Sequence, residues 1–169
     1  MSAYVFDAAH TTIGFVARHA MITKVRGKFA EFDASFDLEA GTATAAIKAD
    51  SFTTGNADRD AHVKGEDFFN VAEFPELSFT ATSFNIANNE GTVTGDLTIK
   101  GITREVTLNV EFSGPAEDPW GNSRLGVEAT TTINRKDFGI DFNAPLNTGG
   151  VLISEEIKIE IDGSAIKQA

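Results

Sequence analysis

The sequence predicts an all-β protein: a single antiparallel barrel of about eight strands, with a short helical insert near residues 57–70. Three observations point there. Apolar and polar residues alternate with period two along most of the chain. Turn residues punctuate the alternating runs, and no repeat, low-complexity tract or linker divides residues 1–169 into more than one domain. The apolar positions are rich in small residues, among them Ala17, Ala34, Ala43, Ala45, Ala81, Gly95 and Ala129.

Taken in order, the first strand sets Ile13, Phe15, Ala17 and His19 on one face and Thr12, Gly14, Val16 and Arg18 on the other. Phe32, Ala34, Phe36 and Leu38 follow, then Ala43, Ala45, Ile47 and Ala49. Leu77, Phe79 and Ala81 alternate with Ser78, Thr80 and Thr82; Val93, Gly95, Leu97 and Ile99 alternate with threonines, Asp96 and Lys100. The later runs are Val106 to Phe112, Leu125 to Ile133 and Ile157 to Ile161. Glu39-Ala40-Gly41, Asn88-Asn89-Glu90-Gly91, Lys100-Gly101 and Trp120-Gly121-Asn122 read as antiparallel connections. Pro75, Pro115, Pro119 and Pro145 fall outside the alternating runs, as a hydrogen-bonded ladder requires.

Strands with one apolar face must pack on a second sheet or close on themselves. Long strands, about nine to eleven residues, and small inward residues favour closure. Strands of about nine residues at ~3.3 Å each, tilted by about 40°, enclose a lumen roughly 23 Å tall, suited to a long, thin apolar molecule. Fourteen Phe against one Tyr and one Trp suit a dry interior, because Phe has no polar handle.

Charge and composition exclude several functions. The net charge of −11 makes a poor match for a nucleic-acid backbone or an anionic membrane surface. With no Cys, thiolate catalysis and disulfides are out. No segment is apolar enough to cross a bilayer as a helix, and MSAYVFDAAH has neither a basic n-region nor an apolar h-region, so the expected location is the cytoplasm. The oligomeric state is left open, a homodimer included.

One stretch breaks the alternation: DRDAHVKGEDFF, Asp58 to Phe69. Asn56 suits an N-cap, Asp58 and Asp60 the first turn, Lys64 the last turn and Gly65 the C-terminal stop, so Ala57 to Lys64 reads as a two-turn helix. Asp58 and His62 share a helical face while Asp60 points elsewhere, so a metal site lacks ligands. No nucleophile is marked beside His62 for acid–base work. The expected helix is a solvated one with capping charges, followed by Phe68 and Phe69 turning back to plug the barrel mouth. Asp137-Phe138-Gly139 matches a kinase metal-binding tripeptide, but the other kinase motifs are missing.

Several segments together resemble the YceI-like family of polyisoprenoid-binding proteins. They are His10-Thr11-Thr12-Ile13-Gly14-Phe15 with Arg18-His19; Val25-Arg26-Gly27-Lys28-Phe29; Arg59-Asp60-Ala61-His62-Val63 with Asp67-Phe68-Phe69-Asn70-Val71 and Phe74-Pro75; Gly95 to Arg104; Arg135 to Gly139; and Glu156 to Ile159. The resemblance implies a lipocalin-like barrel around a long isoprenoid or similar amphiphile, with no established catalytic residues and no cofactor besides the bound lipid.

The expected function is therefore that of a carrier, store or sequestering protein for such a lipid. Phe15, Phe36, Ile47, Phe79, Leu97, Leu108, Val127 and Phe138 are the expected lining, Phe68 and Phe69 the lid, and Arg18 and His19 the polar contact at the mouth. Two other readings stay open: an enzyme acting on an amphiphile through His62 with Asp58 or Asp60, and a side-chain-filled barrel that works through its surface.

Overall fold

A computed structural model describes residues 3–19, 22–142 and 153–168. Its strands are β1 (Ala3–Phe6), β2 (Thr12–His19), β3 (Thr23–Phe29), β4 (Phe32–Asp37), β5 (Thr42–Lys48), β6 (Phe52–Thr53), β7 (Glu76–Ala87), β8 (Glu90–Ile99), β9 (Ile102–Glu117), β10 (Ser123–Asn134) and β11 (Glu156–Lys167). One helix, α1 (Ala57–Lys64), lies between β6 and β7. The eleven strands form one sheet in which β1, β4, β5, β7, β8, β9, β10 and β11 close into an antiparallel ring, because β1 pairs with both β4 and β11. The ring thus has the expected eight strands, with β2, β3 and β6 added from the free part of the β11 edge.

Two assignments differ from expectation. The first alternating run, β2, lies outside the ring, and its place is taken by β1, whose 4 residues are too few to show a period. β3 was hidden in a run of basic residues: Lys24, Arg26 and Lys28 are exposed on one face, and Val25, Gly27 and Phe29 turn inward on the other. Pro145 lies outside the described residues, and among the described prolines Pro115 is the exception. It lies inside β9, where the register against β10 skips between Arg124 and Gly126, and a bulge spares the missing N–H.

The tight connections behave as their residues dictate. Asn88 and Asn89 both take positive φ, 55° and 66°, between paired Ala87 and Glu90. Lys100 and Gly101, at 53° and 76°, do the same between Ile99 and Ile102. Both are two-residue hairpins whose mirror-image turn matches the twist of the strands.

The barrel interior is divided along its length. At the β1 end, Tyr4, Phe36, Val110, Phe112, Leu125 and Val127 are buried against one another, with the Tyr4 and Phe36 rings stacked at 5.2 Å. Polar groups brace this end from outside. Arg124 donates from Nε to Asp118 at 2.7 Å and from a terminal nitrogen to Asp7 at 3.0 Å, tying the β9–β10 turn to the end of β1. The Arg124 hydrogen bond, with further donors from Asn122 and Trp120, holds the Asp118 carboxyl far below the usual aspartate range. The other end encloses the cavity described below.

On the outer surface, Glu90 lies directly opposite Glu111, Glu111 opposite Glu128, and Glu128 opposite Asp162. All four are exposed, so four adjacent strands carry an unbroken row of carboxylates. Like charges directly opposite destabilise a sheet. Glu111→Lys, which turns two repulsive pairs into attractive ones, is expected to raise Tm by about 2–4 °C in low salt. The gain should shrink in molar salt, where surface charges are screened; thermal melts at the two ionic strengths check this.

Candidate functional site

The open half of the barrel holds a cavity of about 510 Å³. Its wall follows from inward parity: each of β5, β7, β8, β9, β10 and β11 contributes its apolar positions from this end only. Examples are Ile47, Leu77, Leu97, Val106, Ile133 and Ile159. The wall on the β2–β3 side is aromatic. The Phe15 and Phe52 rings stack at 5.2 Å, and Phe69 meets Phe29 and Phe52 edge-on at 5.8 and 5.7 Å. These rings fit because Gly27 has no side chain: a Cβ there would stand 2.7 Å from both Phe15 Cζ and Phe52 Cε2.

Polar residues of the lining gather beside α1, where Asp58, Arg59 and His62 are exposed and the cavity opens. α1 has the predicted bounds, and Asn56 caps it by accepting from the Arg59 N–H. Two details of the insert depart from expectation. Gly65 ends the helix at φ −80°, using none of glycine's left-handed freedom, and Asn70 takes the positive φ of 48° instead. Asp60 is not a solvated capping charge but is buried at 9 % exposure. It accepts from the Thr54 N–H at 2.8 Å, the Thr54 hydroxyl at 2.6 Å and the Thr53 hydroxyl at 3.1 Å, fastening α1 to β6. Burial alone would raise the Asp60 carboxyl; the Thr54 and Thr53 hydrogen bonds outweigh it and hold the group below its ordinary value. Arg59 in turn donates to the Thr54 hydroxyl at 2.7 Å.

His62 faces a different set of groups. Its Nε2 lies 3.1 Å from Asp67, and its ring meets Phe68 and Phe142 edge-on at 5.1 and 5.0 Å. The structure therefore sets Asp60 apart from His62 in the His/Asp alternative, since Asp60 bonds threonines while His62 pairs with Asp67; Asp58 borders the cavity together with His62. Among the described residues, no cluster of three or more His, Asp or Glu side chains could hold a metal ion.

Of the expected lining residues, Phe15, Ile47, Phe79, Leu97, Leu108 and Phe138 all border the cavity. Phe68 and Phe69 fold back over it from the turn after α1, and Arg18 stands at its edge. The side chain of His19 is outside the described residues. Phe36 and Val127 are corrections: both point inward, but into the packed half, where neighbouring side chains fill the barrel. Parity tells inside from outside and says nothing about position along the axis. The lumen is accordingly not open over the whole expected height.

Arg135 was missed as a site residue. It is 4 % exposed and borders the cavity, donating to the carbonyls of Ser154 at 2.9 Å, Ile140 at 2.8 Å and Ile153 at 3.3 Å. Burial pushes its guanidinium down, against the raising influence of Glu155 and Asp141; arginine stays charged through such shifts. The signal was present in the sequence, since Arg135 continues the inward parity of Thr131 and Ile133. Phe138, from the kinase-like tripeptide, is buried at 1 % in the cavity wall, and Gly139 ends a 3₁₀ turn.

Comparison with known proteins agrees with this architecture. The sequence pattern of the YceI-like domain matches residues 4–165. A UPF0312 protein of Staphylococcus aureus (strain MSSA476) is 42% identical over 166 residues, covering 95% of each chain. Among solved structures, Burkholderia cenocepacia BcnA superposes with a TM-score of 0.81 at 25% identity, over 94% of this chain and 98% of that one. A Campylobacter jejuni YceI protein gives 0.77 at 28%, over 90% of both. A polyisoprenoid binding domain from Saccharophagus degradans shares the fold, with a TM-score of 0.73 at 15% identity over 99% of both. Among the described residues, no helix is long and apolar enough to cross a membrane.

The Asp60 anchor yields a signed expectation. A carboxylate with a depressed pKa stabilises the fold above the ordinary aspartate value of about 3.9, and that contribution is lost as pH falls through the folded value. Asp60→Asn should cost about 1–3 kcal/mol at neutral pH by leaving buried donors without an ionised acceptor. Its deficit against the parent should narrow as pH drops below about 3.9. Urea midpoints measured across that range test both parts.

Proposed function

This chain belongs to the YceI-like family, and from that premise and the cavity we propose that it binds one long-chain amphiphile of the isoprenoid type inside the barrel. It acts as a carrier, store or sequestering protein for that lipid and requires no cofactor. One observation carries the reading: the apolar cavity is walled off by packed side chains at one end and has exposed charged residues at the other. A hydrocarbon tail gains roughly 25 cal/mol for each Å² of apolar surface it hides from water. Phe15, Ile47, Phe79, Leu97, Leu108 and Phe138 supply the tail contacts, and Phe68 and Phe69 cover them. Arg18, Arg59 and His62 receive the polar head, where a guanidinium can hold an oxygen-rich group in two parallel hydrogen bonds.

The fold shared with a polyisoprenoid binding domain supports the choice of tail. Binding is favoured over turnover by the arrangement at α1, because both Asp60 oxygens are already bonded to threonines.

Native mass spectrometry of the purified protein, before and after organic extraction, should show a lipid adduct that extraction removes and added polyprenol restores. Ala17→Trp, which places an indole in the cavity wall, should weaken polyprenol uptake at least about tenfold, or about 1.4 kcal/mol, with the circular dichroism spectrum unchanged. No adduct and no uptake by the parent protein would sink the reading.

A further inference from the structure

We infer that Phe79, lying across the barrel over Gly95, is the stop that limits how long a tail the cavity accepts. The inference rests on the reading of the cavity as a lipid site. Phe79 borders the cavity and also packs against the buried cluster of the filled half, a position it shares with Leu108 and Ile161. These three form the layer where open lumen gives way to packed core.

Phe79 dominates that layer through its neighbours. Ala45 lies directly opposite it on β5, and Leu97 directly opposite on β8. Gly95 is the next inward position of β8 toward the filled half, between Leu97 and Val93. A Cβ on Gly95 would stand 2.6 Å from Phe79 Cζ. The ring tip therefore occupies the space that a side chain at position 95 would need. A methyl-sized neighbour on one strand and a missing side chain on another let the largest ring of the layer reach over the floor.

Beyond it Val93, Phe36 and Val127 are buried in the filled half and do not border the cavity. A cavity of about 510 Å³ sits well inside the range of roughly 300–1,000 Å³ typical of small-ligand pockets. Tail units in excess of what this volume holds must remain outside the mouth, in water, where they add no burial.

The test is a ladder of all-trans polyprenols: geraniol, farnesol, geranylgeraniol and successively longer homologues, titrated against the full chain. For the parent, affinity should climb with each isoprene unit and then level off. Phe79→Ala should move that plateau toward longer chains, binding the first homologue beyond the parent cut-off about tenfold more tightly than the parent does. Phe79→Leu keeps an apolar floor of smaller reach; it should shift the plateau in the same direction and serves if the alanine variant does not fold. Leu125→Ala loosens the filled half away from the cavity and should leave the cut-off where it is. A parent with no plateau, folded Phe79 variants with an unchanged plateau, or an equal shift in Leu125→Ala would each overturn the stop. Failure of the parent to bind any member of the ladder would instead remove the lipid reading itself.

Discussion

The architecture depends on the pairing of one very short strand. β1 spans 4 residues, yet it closes the ring by bonding β11 along one edge and β4 along the other. Without it, β4 and β11 would be open edges, and the inward apolar face could not be sealed at that end. The side chain of Tyr4, stacked on Phe36, makes closure and packing the same event. The Asp7–Arg124–Asp118 chain then pins the loop that follows to the far hairpin. A ring of eight strands leaves little interior space. At the β1 end Tyr4, Phe36, Phe112, Leu125 and Val127 fill it; at the other end, where β2 and β3 join the wall, Phe, Ile and Leu side chains border the cavity.

Much of the fold was legible because its causes are local. Period two identified every ring strand except β1, and Asn88-Asn89 and Lys100-Gly101 announced their turns through residues that tolerate positive φ. The helix bounds came from Asn56 and from the charges of its first and last turns. What escaped was determined by distance in space. β1 is too short to show alternation, and its role exists only through partners at positions 35–37 and 165–167. Pro115 is tolerated inside β9 by a bulge that only the register with β10 reveals.

The candidate site divides the same way. Alternation placed Phe15, Ile47, Phe79, Leu97 and Leu108 on the inner face, and there they border the cavity. The same rule placed Phe36 and Val127 inward without saying that they belong to the filled half. Asp60 is the sharpest case. As the second acid of a helical first turn it looks like a solvated dipole partner, but Thr53 and Thr54 lie within reach before the helix begins and draw it inward. Arg135 could have been found by extending the parity of β10 one step beyond Ile133, had a charge not looked like the end of the strand.

The two ways in which β11 is used have a separate consequence. Its later residues, 165–167, bond β1 within the ring, while 158–162 bond β2, which carries β3 and β6. Between β1 and β2 the chain leaves the sheet through a 3₁₀ turn at Ala8–His10. The ring can thus keep every one of its ladders while the β2–β3–β6 flap detaches. The ring holds the packed interior and the flap forms a wall of the hollow, a division along which local opening can run. In amide-exchange terms, protection would belong to the first part, and the opening that exposes the cavity would cost the ladder between β11 and β2, the Arg18–Ser154 and Arg26–Glu160 bonds and the contacts of the aromatic wall.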